Sequence, residues 1–210
     1  MATSKAQRIG IWVIAVVMAV GTIGSFFVII LANDNAKVDQ DIALQQQEKY
    51  NEMVKEYQSK VDAQAAKLSE QYYAEFAGYA GQVAAFNKAD VKELSSEDLK
   101  IGDGEEIKDG TKYSAYYIGW NPDGKIFDQS IDGDKLKAPI LGEGLIEGWT
   151  QGVVGMKIGG VRVLTIPSDL AYKEAGSGDM IPPNTPLKFV VFAIPTPEEI
   201  PLPDFSTITK

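Results

Sequence analysis

Apolar and polar positions divide the chain into four textures. Residues Ile9 to Ala32 form an apolar run without a single charge. As a helix at 1.5 Å per residue it spans roughly 36 Å, enough to cross a hydrocarbon core of about 30 Å. A transmembrane helix is therefore expected over 9–32, behind a short N-terminus at 1–8. The rival reading is a cleaved signal peptide, whose apolar core is about 7–15 residues, shorter than this run. Lys5 and Arg8 precede the run, and Asp34, Asp39 and Asp41 follow it. The positive-inside rule then puts 1–8 in the cytoplasm and the remainder outside, on a single-pass protein of the cell membrane.

Residues 33–94 are rich in Gln, Ala, Glu and Lys and contain no proline. Val54, Tyr57, Val61, Ala65, Leu68, Tyr72, Phe76, Tyr79, Val83 and Phe86 recur at steps of three and four, which makes one helical stripe. The pattern predicts a helical stalk, unbroken over about 50 residues and on the order of 75 Å long. Two roles for the stripe remain open. It is either a coiled-coil seam joining two copies into a homodimer or a face packed on the globular part. The aromatic residues at the seam, with Gly78 and Gly81, weaken the coiled-coil case.

Beyond Asn87 the period changes. Short apolar runs alternate with Gly, Pro and Asp, predicting strands at Lys112–Ile118, Lys125–Phe127, Gly160–Ile166 and Leu187–Ala193. Asn121-Pro122-Asp123-Gly124 is a turn signal between the first two, and Glu147 to Gly155 suits one short helix. Several strands around one helix within 95–195 indicate a small α+β domain. Residues 196–210 hold three of the ten prolines and, with Pro195 just before them, read as an extended, mostly unpaired tail.

Composition then narrows the chemistry. The chain has no cysteine and no histidine. That excludes thiol nucleophiles, disulfides, imidazole bases and histidine- or cysteine-ligated zinc sites. A net charge of −9 argues against nucleic acid as a partner, since phosphate binding requires a basic face. No metal or cofactor is called for.

Within this frame, Leu145-Ile146-Glu147-Gly148-Trp149, Gln151-Gly152 and Gly155-Met156-Lys157-Ile158-Gly159-Gly160 stand in succession. They are followed by Leu164-Thr165-Ile166-Pro167, Leu170-Ala171-Tyr172, Ile181-Pro182-Pro183-Asn184-Thr185 and Leu187-Lys188-Phe189. Tyr116-Tyr117-Ile118-Gly119 and Asp123 to Ser130 lie upstream. In order and spacing these blocks resemble the FKBP-type peptidyl-prolyl cis-trans isomerases, over about residues 95–195. The resemblance implies a twisted antiparallel sheet of about five strands wrapped around one short helix, with a pocket for a prolyl ring between them. It implies Trp149 as the pocket floor, Tyr117, Phe127 and Phe189 as walls, and Leu145 and Ile146 at the rim. It further implies that the Ile146 N–H and the Tyr172 hydroxyl hold substrate carbonyls. Asp128 would be a buried polar residue facing the twisted amide, and Ile181 would sit on a flap over the site.

The implied function is isomerisation of X–Pro bonds, assisting the folding of extracytoplasmic polypeptides. Twisting an amide requires neither nucleophile nor metal, which agrees with the missing His and Cys. The alternative is a proline-peptide-binding chaperone or scaffold that uses the same pocket without turnover. Two departures from the family pattern motivate it: Gly133 stands where many members have an arginine that pairs with the aspartate, and Lys137 stands at a position that is often aromatic. The apolar-Pro pairs Ile200-Pro201 and Leu202-Pro203 also make the tail a candidate occupant of the pocket.

Overall fold

The computed structural model describes residues 38–208. The expected transmembrane segment at 9–32 lies outside them. Among the described residues no helix is long and apolar enough to cross a membrane. The described residues divide into two compact units, one of residues 65–198 and one of residues 38–64 together with 199–208.

The larger unit is built on an antiparallel sheet. Its strands are β1 (Ser95–Lys100), β2 (Ser114–Trp120), β3 (Ile126–Gln129), β6 (Ile140–Leu141), β7 (Val161–Ile166) and β8 (Leu187–Ile194). The order is β1-β7-β8-β2-β3, with β6 also pairing β2. A small hairpin of β4 (Ile131–Asp132) and β5 (Lys135–Leu136) stands apart from it. The four expected strands are present with ends displaced by up to two residues. β1 was not expected, because its sequence SSEDLK is almost wholly polar and exposed. As an edge strand it has no buried face to mark it; register and an ion pair hold it instead. Asp98 lies opposite Arg162 of β7, and the guanidinium binds both carboxylate oxygens, at 2.6 and 3.0 Å.

The central strands β2 and β8 are buried on both faces, and alternation assigns each residue to one of two cores. Ala115 of β2 joins Leu187, Phe189, Val191 and Ala193 of β8 in a core shared with the short helix α2 (Glu147–Gly152), and Tyr117 packs against it. Tyr116, Ile118 and Trp120 join Val190, Phe192 and Ile194 on the opposite face. Arg162 ties α2 to the sheet by donating to the carbonyls of Gly152 and Val154, both at 3.0 Å, at the helix C-terminus.

The opposite face is covered by the last turns of the long helix α1 (Val38–Ala77) and the segment after it. Phe76 is fully buried there, stacked on Phe192 at 6.0 Å and near Tyr116 at 6.1 Å. Tyr72, Tyr79, Val83 and Phe86 pack around it. The Ser69 hydroxyl accepts from Leu136 N–H, Tyr73 donates to the Gly133 carbonyl, and Lys100 pairs with Glu75. For this part of the stripe, packing on the globular part is the role adopted. Residues from 65 onward belong to the larger unit.

The unbroken 50-residue helix is also corrected. Helix α1 ends at Ala77, and one-turn 3-10 helices follow at Ala80–Gln82 and Lys88–Asp90. Gly78 and Gly81 are poor helix formers. Leaving the helix axis there lets Phe86 meet the sheet, where its N–H donates to Pro122 and its ring lies 5.1 Å from the Lys188 ammonium.

In the smaller unit, the tail is not mostly unpaired as expected. Phe205–Thr207 forms a 3-10 turn capped by Asp204, and the Phe205 ring lies 5.1 Å from Tyr50. Lys49 donates to the Thr207 carbonyl at 2.7 Å, and Ile208 and Tyr50 are buried. Upstream of that turn, Ile200 and Pro203 are half-buried.

Candidate functional site

The aromatic residues named from the sequence come together on the α2 side of the sheet. Trp149 sits in the middle of α2 and is buried. Its ring meets Phe189 of β8 edge-to-face at 5.2 Å and Tyr117 of β2 at 5.7 Å. Phe127 of β3 closes the set against Phe189 at 5.5 Å, again edge-to-face. Such T-shaped arrangements suit the ring quadrupoles and hold each ring at a defined angle. Gly119 makes the closure possible. A Cβ at that position would lie 2.7 Å from both Phe127 Cζ and Phe189 Cε1.

Leu145 and Ile146 are half-buried beside this cluster. Ile146 is the N-cap of α2, and its carbonyl accepts from Trp149 N–H and Thr150 N–H. Its own N–H precedes the helical ladder. Ile181 is buried against the same core from the 176–183 segment, where its carbonyl accepts from Ser177 N–H at 2.8 Å.

One expectation is corrected. Asp128 is exposed rather than buried, because it lies on the edge strand β3. It is oriented nonetheless. The Tyr117 hydroxyl donates to Asp128 Oδ2, and the Gln129 N–H donates to Oδ1 at 2.8 Å. Tyr117 thus supplies the restraint that Gly133 cannot, since Gly133 forms the turn of the β4–β5 hairpin with φ +63°. Lys137 is exposed and directs its ammonium to the Gln129 carbonyl at 2.9 Å.

Burial pushes the phenols of Tyr117 and Tyr172 above their ordinary value, and the Asp128 carboxylate adds to the rise in both. Ionising either phenol beside that carboxylate would put two negative charges in a largely apolar site. Both therefore remain neutral hydroxyl donors. Tyr117 and Asp128 form a hydrogen-bonded polar pair beside the aromatic cluster, and Tyr172 lies near enough to feel the carboxylate.

Two contributors escaped the sequence reading. Tyr113 is buried and accepts the Trp149 indole N–H at 3.1 Å. Asn121 does more than form a turn. Its Oδ1 accepts from Asp123 and Lys125 N–H, while its Nδ2 donates to Met180 O at 3.1 Å, tethering the segment that carries Ile181. The Asx-turn pattern announced the first role, but nothing local announces the second.

Trp149, Phe189, Tyr117 and Phe127 thus form one aromatic cluster with a tyrosine–aspartate pair beside it. Residues 103–194 match the family of FKBP-type peptidyl-prolyl cis-trans isomerases. An FK506-binding protein of Neisseria meningitidis serogroup A is 44% identical over 99 residues, covering 47% of this chain and 91% of that protein. FK506-binding protein 4 of Rhizopus delemar is 44% identical over the same length, but the chain spans only 26% of it. A crystal structure of a peptidyl-prolyl isomerase from Pseudomonas syringae pv. tomato is 32% identical, covering 56% of this chain and 86% of that one with a TM-score of 0.43. The chain belongs to the FKBP-type peptidyl-prolyl cis-trans isomerase family.

Proposed function

We propose that this chain is a membrane-tethered prolyl isomerase that accelerates folding of polypeptides outside the cytoplasm. The observation carrying the reading is the Trp149-floored pocket with the Tyr172–Asp128–Tyr117 edge, in a chain of this family. An X–Pro bond turns against a barrier of about 18–20 kcal/mol set by amide resonance. At the transition state the amide is twisted and its resonance is lost, so its carbonyl is less polar than in the planar form. An apolar pocket disfavours the planar amide more than the twisted one. Phe189 and Phe127 supply that surface beside the Trp149 floor, which holds the prolyl ring. The Ile146 N–H and Tyr172 hydroxyl hold carbonyls on either side of the turning bond, and Asp128 fixes the Tyr117 wall. No proton leaves the substrate.

Tethering is inferred from the uncharged run 9–32 and its flanking charges. Chain pairing through the stalk is left Val54, Tyr57, Val61, Ala65 and Leu68 as a seam, because Tyr72 and Phe76 pack on the sheet. A monomer accords better with those contacts, and sedimentation of the full-length chain tests it. The chaperone reading loses one motive, since Tyr117 orients Asp128 without an arginine. Refolding of a client whose slow phase is prolyl isomerisation separates the two readings. Catalysis shortens that phase at substoichiometric protein, whereas binding alone leaves its rate unchanged or slows it.

A further inference from the structure

We infer that Tyr113 is a positioning residue for the pocket floor, its hydroxyl fixing the Trp149 indole at the angle the prolyl ring meets. The inference rests on the pocket being the prolyl site. The indole has one polar hydrogen, which points into the protein interior, where Trp149 is 2% and Tyr113 4% exposed. The Tyr113 hydroxyl accepts it at 3.1 Å. Water has no access to replace that acceptor, so losing it would leave a buried donor unpaired or force the ring to turn.

The Tyr113 ring is itself held in place. Its carbonyl accepts from Gly142 N–H at 2.9 Å, and its ring lies against Gly142 so closely that a Cβ there would be 2.2 Å from Cε1 and Cζ. Gly142 thus leaves room for a tyrosine where any side chain would displace it. The orientation passes onward, because Trp149 meets Tyr117 and Phe189 edge-to-face and Tyr117 donates to Asp128. Tyr113 touches no substrate. It acts through Trp149, which contacts the prolyl ring in both planar and twisted states, so its influence falls on binding rather than on the turning step.

The test uses the full-length chain, a Leu-Pro peptide and a fluorescein-labelled form of that peptide. Tyr113→Phe keeps the ring over Gly142 and removes only the acceptor. KM and the peptide Kd should rise about tenfold, with kcat nearly constant, as loss of one buried hydrogen bond implies. In a Trp149→Phe background, which has no indole N–H, the same change should alter Kd less than about twofold. Equal losses in both backgrounds, or none in either, would overturn the proposal. Gly142→Ala provides a second route. By crowding the Tyr113 ring it should weaken peptide binding with Trp149 present and not with Phe at 149, and equal effects in both would again count against the proposal. Anisotropy of the labelled peptide reads affinity without turnover. A wild type that binds but fails to isomerise therefore refutes the proposed activity while leaving this test intact.

Discussion

Tyr117 makes two contacts at once: its ring meets Trp149 edge-to-face, and its hydroxyl orients Asp128. Asp128→Ala should therefore do more than delete a charge. It leaves a largely buried phenol without its acceptor, a loss of about 1–3 kcal/mol, and kcat/KM for a Leu-Pro peptide should fall by about tenfold or more. Protease-coupled kinetics read this directly, and an unchanged kcat/KM would mean that the contact is idle. A second expectation concerns pH. The chain has no His or Cys, and the Tyr117 and Tyr172 phenols are raised above their ordinary value by burial and by Asp128. A raised phenol keeps its proton through pH 10, so kcat/KM should be flat from about pH 6 to 9. Any stability owed to these neutral phenols is fully present below pH 10 and lost only as the pH climbs beyond it, where the unfolded tyrosines ionise first. An inflection near neutrality would point to a titrating group that this account lacks.

At the scale of elements, the sheet is covered on both faces, and the second cover is the end of α1. Phe76 is fully buried, so Phe76→Ala should destabilise the larger unit by about 3–5 kcal/mol in denaturant titrations, and a loss below about 1 kcal/mol would contradict the packing. A fragment of residues 65–198 should unfold cooperatively, while one of 95–198, stripped of Phe76, Tyr72 and Phe86, should be markedly less stable. The aromatic cluster was legible beforehand because Trp149, Phe189 and their neighbours occur in ordered blocks that resemble the FKBP-type family, and the resemblance implies that they come together. The end of α1 was half legible. Its stripe at Tyr72 and Phe76 marks a buried face, but periodicity is the same whether the covering surface is a second chain or the chain's own sheet. Strand β1 was invisible because an edge strand with one half-buried apolar residue, Leu99, has no alternation to read. The exposure of Asp128 was missed because burial depends on where β3 lies in the sheet, which its own four residues do not reveal. Tyr113 and Asn121 were overlooked because their partners, Trp149 and Met180, are 36 and 59 residues away.

For the whole molecule, a tail packed on Tyr50 and Lys49 is an element of the smaller unit. Deleting residues 199–210 should raise hydrogen exchange over residues 46–54 while leaving the isomerase rate within about twofold of wild type, since none of the pocket residues lies in that stretch. A rise in peptide affinity on deletion would instead favour a tail that competes for the pocket. The most direct test of the central claim is the cis-to-trans rate of a Leu-Pro peptide in a protease-coupled assay with the full-length chain, beside Tyr172→Phe and Trp149→Ala. The aromatic pocket predicts a rate that rises linearly with protein concentration above the uncatalysed background, is weakened by Tyr172→Phe, and is nearly abolished by Trp149→Ala. An uncatalysed rate with wild type, or full acceleration by the Trp149→Ala chain, would contradict it.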